Sequence, residues 1–273
     1  NWGWYGLLHQ IKQICGLVFP HFYDKKSTMF RFSTFLASLL LLLHACSDGK
    51  RNIRDYYFPA EDLQEGLVYV YTSEEGDTSE QRYWYYRSFK RDSGLFLAGT
   101  QYDRHFEIIQ MLREKLVDNG SLARNSFLYE TDTATGVAKP IPAIIESPDL
   151  FPFQVTDSLG VFLFSLKYHP LFDTAATIYI IRNRRYLGSG PDFEFAGKKY
   201  PTIRFGLREA VGNEKQGASE VEGEGEEWYA KGLGLVYYQK SFAEGKIRYV
   251  FRLKETFPMT ELERRAKLHF DEH

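Results

Sequence analysis

The sequence is poor in cysteine and has no apolar run long enough to cross a bilayer as a helix. Its two cysteines, Cys15 and Cys46, lie in the first part of a 273-residue chain. The run from Phe35 to Leu43, broken only by Ser38, is far shorter than the ~20 residues that a spanning helix needs. A mature chain that begins at Cys46 would hold one thiol, which excludes a disulfide within it. We therefore expect packing alone to stabilise the fold.

The sequence also lacks an excess of positive charge. Its 34 lysines and arginines are balanced by 36 aspartates and glutamates, a net charge of −2. Residues 46–273 alone carry 30 basic and 35 acidic side chains, or −5. Nucleic-acid binding requires a basic face. We therefore expect no nucleic-acid partner.

The segment from Met29 to Cys46 has the three parts of a secretory signal. The short N-terminal region carries one positive charge, on Arg31. The apolar run Phe35–Leu43 follows, and the segment ends with Leu43-His44-Ala45-Cys46. The closing tetrapeptide resembles the bacterial lipobox, although His44 is bulkier than the usual residue there. The resemblance implies cleavage before Cys46 and lipidation of its sulfur, which predicts a protein attached to a membrane by a lipid anchor. The alternative is a buried leucine-rich helix that happens to end in cysteine.

These signals predict the organisation of the chain. Residues 1–28 precede the first methionine and are interpreted as upstream translation, and residues 29–45 as a lipoprotein signal peptide. We expect residues 46–62 to be a tether, 63–257 a β domain and 258–273 a C-terminal helix.

The residues after Cys46 predict the side of the membrane. Ser47 stands where an inner-membrane retention signal has aspartate, and Lys50 and Arg51 interrupt the acidic cluster typical of surface lipoproteins. We therefore expect an outer-membrane anchor with the protein facing the periplasm rather than the cell surface.

From Gly66 onward, short β-branched and aromatic runs alternate with turn residues, which is the pattern of antiparallel strands. It predicts an all-β fold, a curved antiparallel meander or half-barrel of about ten to twelve strands with a short C-terminal helix. The apolar run Gly160–Leu166 predicts a central strand. Five residues are expected to be buried: Val161, Leu163, Ile178, Ile203 and Val236. Gly120 and Gly245 are expected in turns.

Three segments carry more specific predictions. Residues 102–128 fit a helix or a hairpin, and Asn119-Gly120 favours the hairpin because this pair supplies two positive φ values. The Gly- and Glu-rich stretch from Gly212 to Gly225 is predicted to be an exposed, mobile loop. The pattern Thr260-Glu261-Leu262-Glu263 predicts a capping box at the start of the last helix.

The C-terminal third resembles a known group of periplasmic β-rich domains. The resemblance lies in Tyr200-x-Thr202-Ile203-x-Phe205, then Trp228-Tyr229-Ala230-x-Gly232-x-Gly234-Leu235-Val236, then Tyr249-x-x-x-Leu253. These motifs are similar to those of the TapB-like or DUF3108-like group of unknown function, whose architecture resembles the lipoprotein carriers LolA and LolB. The resemblance covers roughly residues 193–253 and implies a curved half-barrel without catalytic residues. The 19 tyrosines and 22 phenylalanines are also typical of exported proteins of Bacteroidota.

Few residues suggest chemistry. No histidine of residues 46–273 lies near a cysteine, as it would in a mixed histidine–cysteine zinc site, and the glutamates near Gly225 do not match a calcium-binding loop. His105 lies beside Asp103 and Glu107, a grouping that fits a metal pair, an acid–base pair or, most simply, a solvated polar edge. We therefore predict no catalytic residue, metal or organic cofactor, and only Cys46 as a modified site.

The aromatic runs Tyr83–Tyr86 and Tyr237-Tyr238 put rings on both faces of a sheet. An open aromatic face would bind an apolar ligand, whereas a covered one would be an ordinary core. Three functions stay open: a binding or scaffold protein holding an apolar ligand or an envelope protein, a hydrolase of envelope polymers using Asp103, Glu107 or His105, and a structural subunit of an outer-membrane assembly.

Overall fold

The computed structural model describes residues 49–75, 80–156, 160–214 and 219–271. The described residues form sixteen strands and a C-terminal helix, with a short 3-10 helix at Arg54–Tyr56. The strands are β1 (Lys50–Asn52), β2 (Leu67–Ser73), β3 (Gln81–Arg91), β4 (Gly94–Tyr102), β5 (Ile108–Val117), β6 (Gly120–Thr131), β7 (Ala138–Pro152), β8 (Gln154–Thr156), β9 (Val161–Tyr168), β10 (Ile178–Ser189), β11 (Phe193–Phe195), β12 (Lys198–Tyr200), β13 (Thr202–Asn213), β14 (Ser219–Ala230), β15 (Gly234–Phe242) and β16 (Ile247–Phe257). Helix α1 spans Met259–Asp271.

Twelve of the strands form one closed antiparallel barrel, so the predicted all-β fold is confirmed. Around the barrel the order is β10-β13-β14-β15-β16-β2-β3-β4-β5-β6-β7-β9. The ladder between β16 and β2 joins the last barrel strand to the first, and the ladder between β7 and β9 completes the circle. Closure removes the exposed edges that an open sheet would leave. Strands β1 with β8, and β11 with β12, form two small separate sheets.

In strand β2, tyrosines and valines alternate between the inner and outer faces of the barrel wall. Tyr69 and Tyr71 point into the barrel and belong to its main aromatic core. Val68 and Val70 point outward, yet they are also buried, because Phe257 at the end of β16 and Leu262 in α1 pack over them. The predicted C-terminal helix thus covers part of the outer face. It begins at Met259, so Thr260 lies inside its first turn rather than at the cap that the sequence suggested.

Residues 53–63 close one end of the barrel. Ile53 and Leu63 are fully buried, and the Phe58 ring lies 4.1 Å from the ring of Tyr86 between centroids. The backbone N–H of Ser88 donates to the carbonyl oxygen of Leu63 at 2.8 Å. The prediction of a tether over 46–62 is therefore wrong for the part of that range that the structure describes, because its aromatic residues fill the barrel end. We call residues 53–63 the plug.

The predicted hairpin over 102–128 is confirmed, but its turn differs from the prediction. Strands β5 and β6 pair from Val117 with Gly120 onward. Neither Asn119 nor Gly120 has a positive φ within the described chain, so the turn is not the type that the Asn-Gly pair predicted. Gly120 instead begins β6, where an added Cβ would lie 2.6 Å from the carbonyl oxygen of Phe151. Gly245, in contrast, is a turn glycine with φ +87° as predicted.

The burial predictions are correct for Ile203 and Val236, which have no exposed surface. They are wrong for Val161 and Leu163, whose exposed fractions are 60% and 36%, and Ile178 is only half-buried. The barrel wall is a single layer, so one face of β9 meets the interior and the other faces outward. The apolar residues on both faces of β9 had suggested two buried faces.

The predicted mobile loop over Gly212–Gly225 is also wrong for its described parts. Residues 212–213 end β13, and residues 219–225 begin β14, which pairs with both β13 and β15. A Cβ at Gly225 would collide with the carbonyl oxygen of Gln239, so this glycine permits close packing of β14 against β15. The glycines therefore serve the sheet rather than a loop.

Candidate functional site

The three residues that the sequence singled out lie at the turn between β4 and β5. One carboxylate oxygen of Asp103 accepts hydrogen bonds from the backbone N–H groups of His105 at 2.8 Å and Glu107 at 2.9 Å. Phe106 has a φ of 63° within this turn. Asp103 therefore holds the turn in shape, as aspartate commonly does. Among the described residues no cluster of three histidine, cysteine, aspartate or glutamate side chains is placed to bind a metal.

This turn forms part of the rim of a pocket of about 610 Å³ at one end of the barrel, which we call the mouth pocket. Arg82 on β3, Gln101 on β4 and Gln110 on β5 line it from inward-facing positions, and Asp103 and His105 line it from the rim. The amide nitrogen of Gln110 donates to the amide oxygen of Gln101 at 2.7 Å. Long polar side chains thus meet in a space that opens to solvent.

The mouth pocket and the plug lie at opposite ends of the barrel. Along β3, Ser88 contacts the plug, whereas Arg82 lines the mouth pocket. They are six positions apart on an extended strand, or about 20 Å at ~3.3 Å per residue. One end of the barrel is therefore filled by aromatic rings and the other carries the pocket.

Arg82 is positioned by aromatic rings. Its guanidinium carbon lies 4.2 Å from the ring centre of Phe251 and 5.5 Å from that of Tyr249. Its Nη2 also lies 3.0 Å from a carboxylate oxygen of Glu80. Burial raises the pKa of the neighbouring Tyr238 to about 12, although Arg82 acts in the opposite direction. The cation is therefore held in place at the pocket floor.

A layer of buried charge lies deeper in the barrel. Arg184 on β10 forms two hydrogen bonds with Glu227 on β14, and the Tyr229 hydroxyl donates to the same carboxylate at 2.9 Å. Burial alone would lower the pKa of Arg184 and raise that of Glu227. Their mutual attraction outweighs burial, so the pKa of the guanidinium is raised and that of the carboxyl is lowered. Both groups are charged at neutral pH.

A second ion-paired group lies beside the first. The Glu209 carboxylate accepts from Arg182 at 2.5 Å and from Lys240 at 2.9 Å. Burial acts to raise the pKa of Glu209, but the two cations outweigh it and lower that pKa. Burial and the charge of Arg182 lower the pKa of Lys240 to about 8. This group joins β10, β13 and β15 inside the barrel.

The third buried acid is Glu114, which accepts hydrogen bonds from the hydroxyls of Tyr57 and Ser121. Burial raises its pKa, and the two hydrogen bonds and the charge of Arg184 only partly oppose this. Tyr57 belongs to the plug, so this contact fixes the plug to β5 and β6. The buried polar groups therefore hold the barrel together, and none of these three acids lines the mouth pocket.

Sequence reasoning missed Arg82, Gln101, Arg184 and Glu227. The available signal was the period of two: Arg184 shares a strand face with Tyr186, and Glu227 shares one with Tyr229, so each charge points into the barrel, where an unpaired charge would be unstable. Which partner each charge meets depends on ladders between distant strands, and the sequence does not show these. Cys46, the predicted lipidation site, lies outside the described residues.

No family model and no curated protein matches the chain. Two solved structures are similar: a protein of Parabacteroides distasonis described as a "putative lipoprotein" and one of Bacteroides fragilis described as a "putative exported protein with YmcC-like fold". Their identities are 12% and 11%, each covers 74% of this chain and 98% of its own length, and both TM-scores are 0.48. In the described part of the chain, no helix is long and apolar enough to cross a membrane.

Proposed function

We propose that this protein is a lipid-anchored cell-envelope protein that binds a ligand in the mouth pocket of its barrel. The observation that supports this function is the difference between the two barrel ends. The plug fills one end with aromatic rings, whereas the other carries a pocket of about 610 Å³. Pockets of about 300–1,000 Å³ at the mouths of β-barrels are frequent ligand sites.

The proposed location follows from the lipobox-like tetrapeptide that ends at Cys46. A lipid on this residue would attach the protein to the membrane about twenty residues before β2 begins at Leu67. We propose the outer membrane and its periplasmic face, because Ser47 rather than aspartate follows the cysteine. The membrane is then one partner, and the ligand or an envelope protein is the other.

The lining of the mouth pocket supports a polar ligand. Arg82, Gln101 and Gln110 offer guanidinium and amide groups, and Asp103 adds a carboxylate at the rim. A wholly apolar molecule would remove these groups from water without giving hydrogen bonds in return, which is unfavourable. The tyrosines that suggested an apolar site, such as Tyr86 and Tyr238, are buried in the main core.

A binding role has more support than the hydrolase alternative. Paired carboxylates that act as acid and base must converge on a substrate. Asp103 instead uses one oxygen to accept two backbone N–H groups, and Glu107 is exposed and does not line the mouth pocket. The role of a structural subunit has no specific observation in its favour.

The test compares small molecules that remain with the purified full-length chain. Wild type and Arg82→Gln are purified from envelope membranes under identical native conditions, denatured, and analysed by mass spectrometry. We expect a polar compound at near stoichiometric amount with wild type and its loss from Arg82→Gln. The matched control is Arg252→Gln. It also removes an arginine, but one that forms a partly exposed ion pair with Glu74 and does not line the mouth pocket. Equal amounts of the same compound in all three samples, or no compound with wild type, would contradict the proposal.

A further inference from the structure

The outer surface of the barrel has an exposed apolar stripe where the sequence predicted a buried strand. Val161 and Leu163 on β9 are exposed, as is Leu187 on β10. The two strands are neighbours in the barrel, and Val161 pairs with Arg185, two residues before Leu187. Clustered exposed apolar residues on a folded surface commonly mark an interaction site. The stripe therefore needs an explanation that the mouth pocket does not give.

Beside the stripe lies a groove of about 820 Å³, which we call the outer groove. Val161 and Leu187 form its apolar side. Gly206 on β13 lies in its floor and leaves room, because a Cβ there would only touch Leu187 at 3.4 Å. The groove is therefore a concave surface with apolar residues along one side, formed where a strand lacks a side chain.

Three exposed arginines also line the outer groove. Arg185 on β10 pairs with Val161, Arg208 lies on the neighbouring β13, and Arg248 lies on β16 beyond β14 and β15. Glu224, the partner of Arg208 in the β13–β14 ladder, is the acid among the lining residues. Arg248 also lies 3.0 Å from Glu75. The arginines stay charged at any physiological pH, so positive charge exceeds negative charge among the residues that line the outer groove.

A second depression of about 700 Å³ continues from the outer groove over β14. Glu222, Glu224 and Glu244 line it. These carboxylates would repel an anion, so an anionic group would be confined to the part of the groove near Arg185 and Arg208, which lie on the neighbouring strands β10 and β13. The apolar side formed by Val161 and Leu187 lies beside that same part.

We propose that the outer groove binds an amphiphilic anion, with its anionic group on the arginines and its apolar portion on the stripe. Guanidinium groups bind phosphate and carboxylate through paired hydrogen bonds. The apolar portion would cover Val161 and Leu187 and remove them from water. Either part alone would use only half of the groove. This second site does not depend on the function proposed for the mouth pocket.

The test measures binding of n-dodecyl phosphate to the purified full-length chain by calorimetry, below the concentration at which the amphiphile forms micelles. Two further probes separate the parts of the ligand: inorganic phosphate carries only the anion, and n-dodecyl maltoside only the alkyl chain with a neutral head. We expect n-dodecyl phosphate to bind at least about tenfold more tightly than either probe, since each loses one set of contacts.

Two variants locate the site. Arg208→Gln and Leu187→Ser should each weaken n-dodecyl phosphate about tenfold, because each removes one charged or apolar contact. Both residues are exposed, and circular dichroism would confirm that the variants fold. The control Arg82→Gln, in the mouth pocket, should bind n-dodecyl phosphate as wild type does. No binding, equal binding of inorganic phosphate, or unchanged binding by both variants would overturn the proposal.

Discussion

Arg184 and Glu227 form an ion pair inside the barrel, with Nε–Oε2 and Nη2–Oε1 distances of 2.8 and 3.2 Å. Their side chains are only 6% and 5% exposed. Each residue lies 43 positions from the other in the chain, on strands that are separated by β13 in the barrel. The pair therefore depends on the closed fold and links two strands that share no ladder.

Replacing one partner of this pair should be strongly destabilising. Glu227→Gln leaves the Arg184 cation buried without its counter-ion, and we expect a loss of about 3–5 kcal/mol in the free energy of unfolding. The double variant Arg184→Met with Glu227→Leu removes both charges and should lose less than the single variant. Urea unfolding measures all three proteins. A double variant less stable than Glu227→Gln would contradict this account.

Glu114 should make the protein less stable as pH rises. Burial raises its pKa in the folded state above the value of an exposed glutamate. Its favourable contribution is therefore complete below the unfolded pKa and is lost as pH rises through the folded pKa. Glu114→Gln keeps a side chain of similar shape but cannot ionise. The stability of wild type relative to this variant should fall as the pH rises above 4.5, the value of an unperturbed glutamate. Urea unfolding at a series of pH values measures this, and a constant difference would refute the role of Glu114.

The sequence predicts the all-β fold, the hairpin over 102–128 and the C-terminal helix because these depend on local alternation and turn residues. It does not predict closure, because closure depends on the pairing of β16 with β2 across most of the chain. The same limit explains the failure at Val161 and Leu163: alternation tells which residues share a face but not whether that face is covered. The role of residues 53–63 was missed because this irregular segment has no periodic pattern of apolar residues.

Leu163 and Leu97 form a matched pair for testing burial. Both are leucines on barrel strands, but Leu163 is 36% exposed and Leu97 is fully buried. Leu97→Ala should destabilise the protein by about 2–5 kcal/mol because it leaves a cavity. Leu163→Ala should cost less than ~1 kcal/mol, because its side chain already faces solvent. Thermal and urea unfolding give both values. Equal losses would mean that the outer face of β9 is covered in solution.

Gly120 should resist substitution although its backbone is not left-handed. Gly120→Ala would place a Cβ 2.6 Å from the carbonyl oxygen of Phe151, and backbone atoms cannot move aside as a flexible side chain can. We expect a loss of about 1–3 kcal/mol, the usual effect of overpacking. Gly206→Ala is the control, because its nearest neighbour would be a side-chain carbon of Leu187 at 3.4 Å. Similar unfolding free energies for the two variants would show that β6 and β7 can move apart at Gly120 and Phe151 to accommodate a methyl group.

Lipidation at Cys46 is the prediction on which the proposed location depends. The sulfur of this residue is the acceptor in a lipobox-like tetrapeptide, so Cys46→Ala should abolish incorporation of a labelled fatty acid. Without an acyl chain the protein loses the hydrophobic transfer energy that holds it to the bilayer, about 0.8 kcal/mol for each buried methylene group. It should then leave the membrane fraction. Ser47→Ala is the matched control and should stay lipidated and membrane-bound. Protease added to intact cells should cleave neither wild type nor the control, and cleavage of wild type would place the protein on the cell surface instead of the periplasmic face.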